Sequence, residues 1–286
     1  MERAHQTSET RFGGGLAGRV AVVTGAGSGT GRATARRMAA EGASVVAADI
    51  ATSAVEATVA LIAEGGGTAL AVTADVSDEA AVVAMIATAV DSYGRLDILH
   101  NNAAALGPEV YGKDLGISEL DLDVWHKAMS VNVTGVLLGC KHAVPAMRRS
   151  GGGSIVNMSS TAAKHGGDDH AAYGVSKSAV ESLTRYVASM YGRDRIRCNA
   201  VAPGLILSET SLAVLTERQL AEFAIEQALP WAADPADIAA VVVWLAGDES
   251  RCVTGQTIVV DSGIMVRRPL DTLRAWERAL PGLDVA

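Results

Sequence analysis

Apolar and polar positions along the chain follow two alternating rhythms. Short apolar runs rich in β-branched residues occur at 19–24 (RVAVVT), 44–49 (SVVAAD), 68–73 (TALAVT), 96–99 (LDIL), 154–158 (SIVNM), 196–201 (IRCNAV) and 257–260 (TIVV). Such runs predict strands buried in a parallel sheet. Between them lie longer stretches, 28–41, 53–64, 78–93, 121–149, 171–193 and 235–246, whose apolar residues recur at helical spacing, with Asp78 placed to cap the third. Steady alternation of strand and helix predicts an α/β fold, a three-layer doubly wound parallel sheet (Rossmann-like) of about seven strands with helices on both faces.

Two stretches break the rhythm. Residues 104–123 contain Gly107-Pro108, and residues 205–234 follow Pro203-Gly204. Long excursions in such domains are usually functional, and ligands bind beyond the carboxyl ends of the strands. The second excursion is therefore expected to form a substrate lid. No Pro/Ser-rich linker or charge block divides the chain. The expected organisation is a mobile N-terminal segment at 1–15, a single domain at 16–263 and a C-terminal extension at 264–286, with Trp276 at its centre and Arg267 and Arg268 at its start.

Composition narrows the functional classes. With 286 residues, 49% of them hydrophobic, the chain can build a sizeable core, and with 30 glycines but two phenylalanines that core must be aliphatic. Acidic residues outnumber basic ones 32 to 24, and the net charge of −8 disfavours nucleic acid and anionic membranes as partners. Cys140, Cys198 and Cys252 lie far apart and form no zinc-binding pattern. The polar N-terminus resembles no secretory signal, and the longest apolar run, near 80–90, is too short to span a bilayer. A cytoplasmic protein is the expectation.

The first strand hands over to the first helix through TGAGSGTG at 24–31. Glycines there allow positive φ and close approach of a pyrophosphate to helix N–H groups, which makes Gly25, Ser28, Gly29, Thr30 and Gly31 candidate cofactor ligands. Asp49 ends the second strand, 18 residues past the last glycine, where a carboxylate can accept both adenosine ribose hydroxyls. A 2′-phosphate would meet a like charge, and Ile50, Ala51 and Thr52 supply no compensating cation. NAD is the expected cofactor.

Tyr173 and Lys177 stand four residues apart at the start of a predicted helix, hence on one face. A lysine cation favours the phenolate, so Tyr173 is a candidate general acid/base. Ser160 lies 13 residues before Tyr173, just past a strand end, and Asn132 opens an apolar helical segment from which its amide could hold a water or a carbonyl in a relay toward Lys177.

Taken together, these motifs resemble those of the short-chain dehydrogenase/reductase family. The resemblance runs over about 16–263 and rests on TGAGSGTG, Asp75-Val76, NNAA at 101–104, Asn132, Ser160, YGVSK at 173–177 and PGLILS at 203–208. It implies an Asn132–Ser160–Tyr173–Lys177 tetrad in which Ser160 polarises the reacting oxygen and Lys177 also binds the nicotinamide ribose. It further implies that Asp75 and Val76 lie near adenine, that Asn101 and Ala103 line the cofactor groove, and that Pro203, Gly204, Ile206 and Ser208 face the nicotinamide. Ala104, Thr30 and Ser208 depart from the usual glycine, aliphatic residue and threonine. Pairing through the helices at 132–144 and 171–193, as a homotetramer or dimer, is a further implication.

The implied reaction is reversible interconversion of a secondary alcohol and a ketone. Leu205, Leu207, Leu212, Leu215, Phe223 and Trp231 point to an apolar, alicyclic or steroid-like substrate or, alternatively, to the core of the lid. His165 and His170 with Asp168 and Asp169 lack a defined ligand geometry, and no metal is expected. A non-catalytic dinucleotide-binding redox sensor is the competing reading. A glycine-turn methyltransferase would need neither Tyr173 nor Lys177.

Overall fold

Strand β1 (Val20–Thr24) is an interior strand of the sheet, and both of its faces are apolar. Val20 and Val22 point to one side of the sheet, Ala21 and Val23 to the other, and all four are buried. In the computed structural model, which describes residues 15–107, 110, 112–267 and 272, six further strands run parallel to it. They are β2 (Ser44–Asp49), β3 (Thr68–Thr73), β4 (Ile98–Asn101), β5 (Gly153–Met158), β6 (Ile196–Pro203) and β7 (Thr257–Val260). Their order across the sheet is β3-β2-β1-β4-β5-β6-β7. The expected doubly wound sheet of seven strands is therefore present. The N-terminal segment expected to be mobile lies outside the described residues apart from Gly15, as do Arg268, Trp276 and Pro108.

Helices cover both faces. On the Val20/Val22 side, α3 (Glu79–Tyr93), α5 (Gly135–Ser150) and α6 (Ala171–Tyr191) contribute Met85, Met147 and Val180 to one core. On the opposite side, α1 (Gly29–Ala40), α2 (Thr52–Glu64) and α9 (Pro235–Ala246) contribute Met38, Val55 and Leu245 to the other. Each such fully buried side chain stabilises the fold by roughly 2 kcal/mol. The remaining α-helices among the described residues are α4 (Leu122–Met129) and, within residues 205–234, α7 (Glu209–Val214) and α8 (Glu217–Glu226).

Two elements differ from the sequence expectation. The helix expected across 121–149 is interrupted by a wide π-turn at Ser130–Thr134 between α4 and α5. Such a turn inserts an extra residue and re-aims its neighbours, and here it accompanies the complete burial of Asn132. Strand β4 starts two residues later than expected and includes His100 and Asn101, polar residues that are nonetheless buried.

His100 carries a pH signature. It is fully buried, its Nδ1 lies 3.0 Å from the Val156 carbonyl oxygen, and its Nε2 has no hydrogen-bond partner among the described residues. Burial pushes its pKa down from 6.5 to about 4. Between those values the unfolded chain binds more protons than the native one, so stability is lost as pH falls from 6.5 toward 4, by up to about 3 kcal/mol. Urea midpoints of the wild type should fall more steeply over this window than those of His100→Val. Equal slopes would remove His100 as the cause.

Candidate active site

All strands being parallel, their carboxyl ends share one edge, and the chain reverses its direction of travel across the sheet between β1 and β4. A crevice opens at such a point. The glycine turn leaves β1 there, with Gly25 at φ +64° and Gly29 at φ +48°. A Cβ on Gly25 would come 2.9 Å from Ala103 Cα, and one on Gly31 would overlap the Gly25 carbonyl oxygen. Asn102 pins the turn, donating from Nδ2 to the Thr24 and Gly25 carbonyls at 3.0 and 3.2 Å. The Thr24 hydroxyl accepts the Asn102 and Ala103 N–H groups at 3.0 and 3.1 Å. Ser28 precedes α1 and its side chain makes no capping bond, while Thr30 lies in the first turn. A pyrophosphate fits this close-approach backbone at a helix start.

Asp49 ends β2 beside the turn. Its Oδ2 accepts the Gly27 N–H and its Oδ1 the Ala51 N–H, both at 2.9 Å. A carboxylate offers about four lone-pair positions, so two are left for a diol. The nearby cation Arg32 is directed at the turn itself, bonding the Gly27 carbonyl and, at 3.2 Å, the Thr58 hydroxyl. Asp75 accepts the hydroxyl and N–H of Ser77 at 2.6 and 2.8 Å, and these bonds hold its carboxyl below the usual range. Val76 packs so closely on α5 that a Cβ on Gly135 would lie 2.8 Å from its Cγ2.

Tyr173 and Lys177 do share a face of α6. The Lys177 Nζ lies 5.5 Å from the centroid of the Tyr173 ring and donates to the Met158 carbonyl at the end of β5 at 2.9 Å. Only 2% of Lys177 is exposed, and burial lowers its pKa to about 8, leaving the ammonium charged at neutral pH. Ser160 lies two residues beyond Met158, where its Oγ accepts the Ala162 N–H at 3.2 Å. The loop carrying Ser160 is tied to α6 by Glu181, which accepts from Ser159 Oγ and from Lys164 Nζ, each at 2.9 Å.

Two amides make hydrogen bonds that the sequence did not predict. The Asn101 amide turns into the interior, donating to Asn157 Oδ1 at 2.9 Å, while Asn157 donates to Thr184 Oγ1 at 2.9 Å. Its neighbour Asn102 holds the glycine turn instead. The Asn132 Oδ1 accepts the Ala105 N–H at 2.8 Å and its Nδ2 donates to Ser176 Oγ at 3.0 Å. Ser176 in turn donates to the Tyr173 carbonyl at 2.7 Å. Asn132 thus braces the turn of α6 that carries Tyr173. Asn102 lay inside the NNAA motif and Ser176 inside YGVSK, neither with a role assigned to it, whereas nothing in the local pattern marked Glu181.

The far side of the crevice begins where β6 ends at Pro203. Gly204 fits against Asp261, whose Cβ would lie 2.9 Å from an added Cβ. Ile206 bridges to Ala233, and Ser208 caps α7, accepting the Ser211 N–H at 3.2 Å. The excursion at 205–234 is helical, and none of Leu205, Leu207, Leu212, Leu215, Phe223 and Trp231 is buried. Its rear is fastened by the segment after β7: the Ser262 carbonyl accepts the Ala228 and Leu229 N–H groups at 2.9 and 3.0 Å, and Arg267 donates to the Ile225 and Gln227 carbonyls. The described start of the C-terminal extension therefore docks on its own chain. His165 and His170 turn to local partners, the Gly166 carbonyl and Asp169 Oδ1.

Comparisons with known proteins extend over nearly the whole described chain. The family profile described as "Enoyl-(Acyl carrier protein) reductase" matches residues 25–265. A "Probable short-chain type dehydrogenase/reductase" of Bradyrhizobium diazoefficiens is 43% identical over 256 residues, 90% of either chain. Cis-4-hydroxycyclohexanecarboxylate dehydrogenase of Sinomonas cyclohexanicum is 39% identical over 253 residues, 88% of this chain and 98% of that one. Among solved structures, 7α-hydroxysteroid dehydrogenase complexed with NADH and 7-oxo glycochenodeoxycholic acid superposes with a TM-score of 0.83 at 31% identity, covering 88% of this chain and 98% of that chain.

Proposed function

Because the chain belongs to the short-chain dehydrogenase/reductase family, we propose that it is an NAD-dependent oxidoreductase for apolar, alicyclic secondary alcohols and their ketones, with Tyr173 as general acid/base. At the coarser level it is an oxidoreductase of alcohol and carbonyl groups, as its named relatives are. The observation that carries the finer reading is the buried ammonium of Lys177 held against the Tyr173 ring at the end of β5, the strand that Ser160 follows by two residues. When bound, the dinucleotide supplies hydride chemistry. Tyr173 takes the proton from the substrate hydroxyl during oxidation and returns it during reduction. Ser160 donates a hydrogen bond to the same oxygen. The Lys177 charge stabilises negative charge building on the phenol oxygen.

Asp49 supports NAD over NADP, since its remaining lone pairs suit ribose hydroxyls and its charge opposes a 2′-phosphate. Exposed Leu106, Leu115 and Ile117 from one excursion, with Leu212 and Trp231 from the other, support an apolar substrate. The relatives named for a hydroxycyclohexanecarboxylate and for hydroxysteroids support an alicyclic one. Leu137 on α5 and Val175, Tyr186 and Met190 on α6 leave exposed apolar side chains that support a homodimer or homotetramer built on these helices. Among the described residues no helix is long and apolar enough to cross a membrane, and the cytoplasm is the proposed location.

Purified protein supplied with cyclohexanols and hydroxysteroids should produce NADH, with kcat/KM for NAD exceeding that for NADP at least about tenfold, equivalent to about 1.4 kcal/mol at Asp49. Equal use of NADP would remove the cofactor assignment. Tight NAD binding without turnover on any alcohol or ketone would favour the sensor reading.

A further inference from the structure

The excursion between β4 and α4 contains a carboxylate that serves a different element. Asp114 is 1% exposed, and it meets the start of α6 at three points. Its carbonyl oxygen accepts the His170 N–H at 2.7 Å, its Oδ1 the Ala172 N–H at 2.9 Å and its Oδ2 the Tyr173 N–H at 2.8 Å. The first N–H groups of a helix have no partner within it, and the side chain of the residue just before the helix usually supplies one. In α6 that residue is His170. It sits in the left-handed region at φ 58°, its side chain makes no capping bond, and its ring turns to Asp169. The helix that carries Tyr173 and Lys177 is therefore capped by a residue 59 positions away from Tyr173 in sequence.

We propose that Asp114 is a positioning residue for Tyr173. The inference rests on the reading of Tyr173 as the acid/base. Tyr173 lies in the first turn of α6, the part of a helix that frays most readily. Lys177 lies one turn deeper, buried and anchored to Met158, and needs no such support. Removing the carboxylate would free the backbone of Tyr173 and leave Lys177 in place, which separates the two groups that must act together. Displacement of a reacting group by about 1 Å can lower a rate about 100-fold. The same excursion packs Ala105 and Val110 against Ala172, so the substrate-side loop and the start of the catalytic helix share one small core.

Two measurements test this. In Asp114→Ala, kcat per NAD-binding site should fall about 100-fold while the NAD dissociation constant stays within about twofold, because the glycine turn and Asp49 sit on other elements. Asp114→Asn keeps an acceptor oxygen for one of the two N–H groups, so part of kcat should return. Independently of any substrate, hydrogen exchange at the Ala172 and Tyr173 amides should accelerate at least about tenfold in Asp114→Ala, with the amides near Val187 unchanged. Unchanged exchange at Ala172 and Tyr173 overturns the proposal, and so does an unchanged kcat per binding site. Should the wild type itself turn over nothing, the acid/base reading fails and with it the kinetic half, while exchange still decides whether Asp114 holds the Tyr173 backbone.

Discussion

Tyr173→Phe is expected to lower turnover about 1,000-fold and to leave NAD affinity within a few-fold of the wild type. The substitution removes one oxygen and keeps the ring, so packing of the Lys177 ammonium 5.5 Å from the ring centroid persists. The proposed binding groups for the dinucleotide, on the glycine turn and at Asp49, lie on β1, α1 and β2, away from the change. What disappears is the atom proposed to exchange a proton with the substrate oxygen, and positioned acid/base groups contribute factors of about 10² to 10⁴. Single-turnover rates under saturating NAD, paired with an NAD titration, make the comparison. A variant with more than about a tenth of wild-type turnover would transfer the proton role to another group.

Gly31→Ala should have the largest effect on the cofactor site itself. The added methyl would overlap the Gly25 carbonyl oxygen and approach Asn102 Nδ2 to 2.6 Å, the same amide that bonds the Thr24 and Gly25 carbonyls. One of these neighbours is backbone and the other is already doubly engaged, so the turn must open to relieve the clash. Overpacking of this kind destabilises by about 1–3 kcal/mol, which for a chain of this size lowers Tm by several degrees. NAD affinity should fall at least about 100-fold, since close approach of the backbone is what the turn provides. Gly192→Ala is the matched control: its φ is −58° and no described residue lies within 4 Å of an added Cβ. Calorimetric titration that found Gly31→Ala and Gly192→Ala binding NAD alike would show that the turn is not the cofactor cradle.

Much of this architecture was legible because it is written in local periodicity. The β1 run RVAVVT serves two cores through simple alternation, and α3 begins where Asp78 predicts, its Oδ1 accepting the Ala80 N–H. The spacing of Tyr173 and Lys177 was enough to place them on one face. What could not be read locally depends on partners distant in sequence. His100 and Asn101 look unsuited to a strand until Val156 and Asn157 supply their hydrogen-bond partners. The π-turn around Asn132 goes with an amide that bonds Ala105 and Ser176, 27 and 44 positions away. Asp114 appears as an ordinary polar loop residue in sequence, because its role is defined by N–H groups 58 and 59 positions away.

The interior amide pair has a consequence for how the two halves of the sheet align. Asn101 and Asn157 stand directly opposite one another in the β4–β5 pairing. Sliding β5 by a single residue would swing Asn157 to the other face and break the bond between the two amides in an apolar interior. The pair therefore acts as an indexing pin. It fixes the height of β5 against β4, and thereby the level at which Ser160 emerges relative to Asn102 and the glycine turn beside it.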